Sequence, residues 1–143
     1  MKLQQLSIFL ENKPGQLKGA IDLLAGAKIN ILTLSLADTK QFGILRLLVS
    51  DWERAKAVLD EGGYVAQTTE VLALEVADRP GGLAELLDHV EAAGLNIEYM
   101  YAFTSSRGDK AVMIFRFDDP DKAVERLKSG GVNVVGAVEL YAR

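Results

Sequence analysis

Histidine and cysteine, the side chains that most often hold metals or move protons near neutral pH, are almost missing from this chain. It has one histidine, His89, and no cysteine. No His/Cys metal cluster can be built within one chain, and disulfide and thiolate chemistry are excluded. Asp88 and Glu91 beside His89 read as a solvated helix face, and Ser105-Ser106 fall in a polar hairpin loop, so no catalytic triad assembles. Asp118-Asp119 before Pro120 read as a helix cap with proline in the first turn. Gly62-Gly63 and Gly130-Gly131 follow helical patterns instead of preceding them, the wrong side for cradling a phosphate. Neither an enzyme, a metal site nor a cofactor is expected.

What does recur is a turn. Asn12-Lys13-Pro14-Gly15-Gln16-Leu17 returns as Asp78-Arg79-Pro80-Gly81-Gly82-Leu83. In both copies a strand-like apolar run meets a short polar residue, a basic residue and Pro-Gly, and an amphipathic helical pattern follows. Proline fixes its own φ and keeps the residue before it extended, while glycine permits a conformation that a Cβ would obstruct. The chain can therefore turn sharply from strand into helix.

The register of the repeat extends well beyond the turn. Pro14 and Pro80, Leu17 and Leu83, and Asn30 and Asn96 are each 66 residues apart, whereas Asp51 and Asp119, and Gly62 and Gly130, are 68 apart. The difference places a two-residue insertion within Ser105–Asp109, in a loop, where length changes are tolerated. Two units are expected, residues 1–69 and 70–143, each small enough to be marginal alone.

Within the first unit, Leu6–Leu10 reads as a buried strand. Leu17, Ala20, Ile21 and Leu24 give a helix over 16–26, and Leu32, Leu34 and Leu36 alternate with Thr33 and Ser35 as a half-buried strand. Asp38-Thr39-Lys40-Gln41 is the expected turn into a strand from Phe42 to Val49. Asp51 caps a helix with Ala55, Val58 and Leu59 inward, and a closing strand starts at Tyr64-Val65-Ala66. The second unit repeats this with a helix near 82–93 (Leu83, Leu87 and Val90 inward), strands near 95–104 and 110–117, a helix at 120–129 and a last strand near 132–141. The fold class is α+β: two ferredoxin-like βαββαβ units, each an antiparallel four-stranded sheet with two helices on one face.

Composition sets the wider bounds. Of 143 residues 49% are hydrophobic and 25% charged, and the net charge is −4 with no basic block, which argues against nucleic acid. The apolar runs are too short to cross a bilayer and the amino terminus lacks a secretory pattern. A cytoplasmic protein with no membrane partner is expected.

The strand and helix order, the Asn/Asp-basic-Pro-Gly-x-Leu turn, and the later Ala27-Lys28-Ile29-Asn30-Ile31 and Ala93-Gly94-Leu95-Asn96-Ile97 segments resemble the ACT domain, a small regulatory module that binds amino acids. The resemblance covers practically the whole chain and implies a tandem, stand-alone ACT protein. It implies an effector near a domain interface, held by the turn and by the asparagine opening the second strand, often that of the neighbouring domain. Those positions are Asn12, Gly15, Gln16, Leu17, Asn30 and Ile31, and Asp78, Gly81, Gly82, Leu83, Asn96 and Ile97. The chemistry is compatible. A free helix N-terminus attracts a carboxylate, Asn donates and accepts, and Asp78 favours an ammonium. Each residue also has a purely structural use, as a turn former or a cap.

The units differ at one strand. Where the first has Thr33, Ser35 and Ala37, the second has Tyr99, Tyr101 and Phe103, which share a face opposite the helices if Leu32, Leu34 and Leu36 point toward them. Such a row serves sheet or subunit packing, or walls a ligand. Two functions are compatible with all of this. One is a homodimeric amino-acid sensor that modulates a metabolic enzyme or regulator; the other is a constitutive protein–protein interaction module with a vestigial ligand site.

Overall fold

The computed structural model describes residues 1–104 and 108–142. The elements run β1 (Leu3–Glu11), α1 (Gln16–Gly26), β2 (Ile31–Thr39), β3 (Phe42–Val49), α2 (Trp52–Glu61), β4 (Ala66–Ala77), α3 (Gly82–Ala92), β5 (Ile97–Ala102), β6 (Lys110–Phe117), α4 (Pro120–Ser129), β7 (Val134–Val135) and α5 (Ala137–Tyr141). This is an α+β fold of antiparallel strands and helices in the expected ferredoxin-like order. Two compact units divide it: Gln4–Thr69 forms one, and Met1–Leu3 with the chain from Glu70 onward forms the other. The expected two-residue insertion falls partly on residues 105–107, outside the described residues.

In the amino-terminal unit β3 lies between β1 and β2, antiparallel to both. The pairs Leu6↔Leu47 and Ile8↔Leu45 put these residues on one face, where they meet Ala20 and Leu24 of α1 and Ala55 and Leu59 of α2 in a closed core. Asp51 caps α2 by accepting from the Arg54 amide at 3.2 Å, as its position before the apolar pattern implies. Leu34 and Leu36 pair with Leu47 and Leu45 and so share the helix-side face. Both stay exposed all the same (43% and 49%). A bulge between Ile31 and Thr33 displaces Leu32, so it is Ile31 that reaches the core.

The turn between β2 and β3 is shorter than expected. β2 continues to Thr39, leaving Lys40-Gln41 as a two-residue connection, with Lys40 at φ 54. Two-residue hairpins require such left-handed backbone, and they favour Asn-Gly or Asp-Gly. Lys-Gln carries no such signature, and Asp38 therefore sits inside a strand.

The carboxyl-terminal unit is built on β4, which pairs with β6, and β6 with β5. Leu72, Leu74, Val76, Phe115 and Phe117 pack on Leu86, Val90, Ala123 and Leu127, with Phe115 and Phe117 stacked at 5.5 Å. The inward face of α3 is thus Gly82, Leu86 and Val90; Leu83 is exposed and Leu87 half-buried, a correction to the face read from periodicity. Asp119 caps α4 at the Lys122 amide, 3.1 Å. Tyr99 and Tyr101 pair with Arg116 and Ile114, and the Phe103 amide donates to Val112, so the aromatic row lies opposite the face of Met100 and Phe115. Lys2 bridges Glu70 and Asp121 at 2.8 Å each, and these carboxylates, Asp121 foremost, hold its ammonium above the ordinary lysine range.

Two strand expectations fail. The closing strand of the first repeat and the first strand of the second are one continuous element, β4, with no break at Gln67-Thr68-Thr69. The last strand, expected over 132–141, is only Val134–Val135; after Gly136 the chain turns into α5. In a strand Val138 and Leu140 would share a face. In α5 Leu140 is buried while Val138 stands 89% exposed, so one apolar residue is inserted and the other released.

Candidate functional site

The two copies of the Pro-Gly turn share a backbone. Gly15 and Gly81 sit at φ 89 and φ 85, in open space, and each precedes a helix that no side chain caps. The contrast with α2 and α4, both capped by aspartate, is local and chemical. Glycine at N-cap leaves first-turn N–H groups of α1 and α3 available to an external acceptor, in the positive end of the helix dipole.

Beyond the backbone the copies diverge. In the amino-terminal unit the Asn12 amide donates to the Gln41 carbonyl at 2.8 Å, and its side-chain Nδ2 to the Lys40 carbonyl at 3.0 Å. The turn is thereby tied to the tip of the β2–β3 hairpin. Between them lies a cleft of about 80 Å³, lined by Leu10, Glu11, Asn12, Lys13, Gln16, Leu17, Leu36, Asp38 and Gly43. Its floor is one row of the sheet, because Leu10 pairs with Gly43 and Gly43 with Asp38. Lys13 and Glu11 pair with each other at 2.8 Å, which leaves Asp38 as the carboxylate facing an incoming cation.

In the carboxyl-terminal unit the start of the helix packs closely on the strand that precedes the turn. Gly82, the first residue of α3, is buried, and a Cβ there would lie 2.9 Å from the Ala77 carbonyl carbon and closer still to its oxygen. Gly82 is therefore needed for the close approach of helix to strand. The Asp78 amide donates to the Asp109 carbonyl at 2.7 Å, and Arg79 is held by both oxygens of Glu85 at 2.7 Å. Broader clefts of this unit, about 220 and 370 Å³, share His89. The smaller includes Gly82, Glu85 and Lys110; the larger lies between the ends of α3 and α4.

Within each unit the turn and the asparagine of the second strand do not meet. Glu11 pairs with Phe42 at one end of β3 and Ile31 with Val49 at the other, roughly 23 Å away at 3.3 Å per residue. The Asn30 carbonyl accepts from Ser50, and the Asn96 carbonyl and amide bond to Asp118. Ile31 and Ile97 pack on the cores. Of the residues expected at a site, Asn12, Gln16 and Leu17 come together, with Gly15 shaping the turn. They are joined by Leu10, Leu36, Asp38 and Gly43, which sequence reasoning missed. The missing signal was the length of the hairpin turn, which places Asp38 opposite Gly43.

Among the described residues no three His, Asp or Glu side chains are grouped to hold a metal ion, and no helix is long and apolar enough to cross a membrane.

A protein-family model described as an ACT domain pair matches residues 1–141. Among solved structures, that of a Bacteroides thetaiotaomicron protein is 38% identical with a TM-score of 0.91, covering 99% of this chain and 96% of that one. The ligand-free regulatory subunit of aspartate kinase from Thermus thermophilus is 16% identical, with a TM-score of 0.64 and 90% of each chain covered. The aspartate kinase of Clostridium acetobutylicum is 10% identical, with a TM-score of 0.58, over 90% of this chain and 32% of that one. These last two share the fold alone. A search of the curated proteins finds no match.

Proposed function

The chain belongs to the ACT-domain family as an ACT domain pair, and from that premise we propose that it is a non-catalytic regulatory protein that binds an amino acid at the Asn12–Leu17 turn and thereby modulates a metabolic enzyme or regulator. One observation carries the reading. Of the four long helices, the two that follow Pro-Gly are left without side-chain caps, and at the first of these turns a cleft adds a carboxylate, Asp38, to the open helix end. An α-amino acid offers the matching pair of charges, its carboxylate to the N–H groups and its ammonium to Asp38. The fold shared with the regulatory subunit of aspartate kinase supports a regulatory role.

Binding regulates only if two arrangements of the protein differ in affinity for the ligand. The proposal therefore includes a homodimer whose assembly, or whose hold on a partner enzyme, depends on the amino acid. Mass in solution with and without ligand tests that part. A thermal-shift screen of the twenty amino acids tests the binding itself, since a ligand at a hundred times its Kd stabilises the folded state by about 2.7 kcal/mol. A screen in which none shifts the transition removes the reading. It would leave the constitutive interaction module, for which the close packing of Gly82 on Ala77 is the supporting observation: there the repeated motif has a purely structural use.

A further inference from the structure

Building on that reading, we infer that the cleft beside Asn12 selects an α-amino acid with a short aliphatic side chain, and that Gly43 sets the size limit. Glu11, Asn12, Lys13, Gln16 and Asp38 carry the cleft's hydrogen-bonding and charged groups, and Leu10, Leu17, Leu36 and Gly43 are its apolar residues. Leu17 and Leu36 are large hydrophobic side chains left 36% and 49% exposed, so this wall remains uncovered in the free chain. A charged or amide side chain set against Leu10, Leu17 and Leu36 would leave water with no partner on those residues, since the nearby Lys13 and Glu11 already pair with each other.

Size follows from volume. An apolar cavity of about 150 Å³ takes a benzene ring. The cleft beside Asn12, about 80 Å³ in all, is roughly half that size, which favours a short aliphatic side chain over a benzyl group. Gly43 lies in the middle of the floor, between Leu10 and Asp38, on the same face as Leu45 and Leu47. A Cβ built on Gly43 points at Leu36 Cδ1, 3.4 Å away, and so into the cleft. The absence of that one carbon leaves the space. At the matching position, 68 residues on, the second unit has Ala111, and Leu36 is matched by Ala102, 66 residues on. The two turns therefore do not share a specificity.

The test measures Kd on the full chain for glycine, alanine, valine, phenylalanine, aspartate and lysine, by calorimetry or thermal shift. Valine is expected to bind tightest, with phenylalanine, aspartate and lysine weaker by at least about tenfold, the usual consequence of a misfit in an apolar pocket. Gly43→Ala should lower valine affinity by about tenfold while sparing alanine. Leu36→Ala, at an exposed edge position that folding tolerates, should shift the preference toward larger side chains. Asp38→Asn should weaken every ligand in similar proportion. Tightest binding by phenylalanine, aspartate or lysine, or a valine-to-alanine ratio unmoved in both Gly43→Ala and Leu36→Ala, overturns the inference while the amino-acid reading stands. No binding by any amino acid overturns both.

Discussion

Replacing Gly82 by alanine probes the difference between the two turns. The added carbon would sit 2.9 Å from the Ala77 carbonyl carbon, closer still to the carbonyl oxygen, and 3.4 Å from Ala77 Cβ. Backbone atoms at a strand end cannot swing aside as a side-chain tip can. Contacts between carbons are comfortable only at about 3.5–4.0 Å, so α3 must retreat from β4. The same helix carries Leu86 and Val90 into the core, and both would move with it. Overpacking of this kind costs about 1–3 kcal/mol, and replacing a helical glycine by alanine returns roughly 0.5–1 kcal/mol. Taking the middle of each range, the expected net loss is about 1 kcal/mol. Gln16→Ala, at the matching first residue of α1, should change stability by less than about 0.5 kcal/mol, because a Cβ is already accommodated there. Urea unfolding should be followed by far-UV circular dichroism and by fluorescence of Trp52, the single tryptophan, which packs on the amino-terminal core. Two probes are needed because a chain with two cores need not unfold in one step. A Gly82→Ala protein as stable as the native chain, or more so, would refute the packing account and return residue 82 to consideration as a ligand contact.

Other outcomes follow from the same geometry. Leu24→Ala and Leu127→Ala each remove a fully buried core side chain and should each cost about 2–5 kcal/mol in chemical denaturation. Asp51→Ala and Asp119→Ala, which delete the caps of α2 and α4, should each lower stability by about 1 kcal/mol, read as a reduced urea midpoint. Tyr64→Phe loses the hydroxyl that donates to the Gln16 carbonyl at 3.3 Å and should cost about 0.5–1.5 kcal/mol. The pH dependence has two opposite ends. Asp60, held below its ordinary value of 3.8 by Lys56 and then by the Ala66 amide, stabilises the fold above that value and loses the contribution as pH falls, so the native advantage over Asp60→Asn should shrink in acid. Lys2, held above the ordinary lysine range, contributes below that range and loses the contribution as pH rises through its raised value, so the native advantage over Lys2→Met should shrink in strong alkali.

Much of the fold was legible because its signals are local. Helix periodicity, the Asp51 and Asp119 caps and the Pro-Gly turns act within a few residues, and the repeat states them twice. The family resemblance rests on the same short segments. What escaped was decided between residues distant in sequence. Whether 132–141 forms a strand depends on the place available for Leu140, and no local pattern records that. Leu83 and Leu86 both fit a helical apolar stripe; the burial of Gly82 against Ala77 turns Leu86 inward and leaves Leu83 out. The site divides in the same way. Asn12, Gly15, Gln16 and Leu17 stand side by side in the chain and were visible at once. Asp38 and Gly43 become neighbours only through a two-residue turn whose Lys-Gln sequence does not announce itself, and Leu10 reaches them only through the β1–β3 register. The sequence by itself determined the repeated units, their elements and the turn that opens a helix end. Only the tertiary structure decided that one copy of that turn borders a cleft with Asp38 while in the other Gly82 brings the helix close against Ala77, because a single missing Cβ, at Gly43 or at Gly82, acts through the neighbours that folding brings against it.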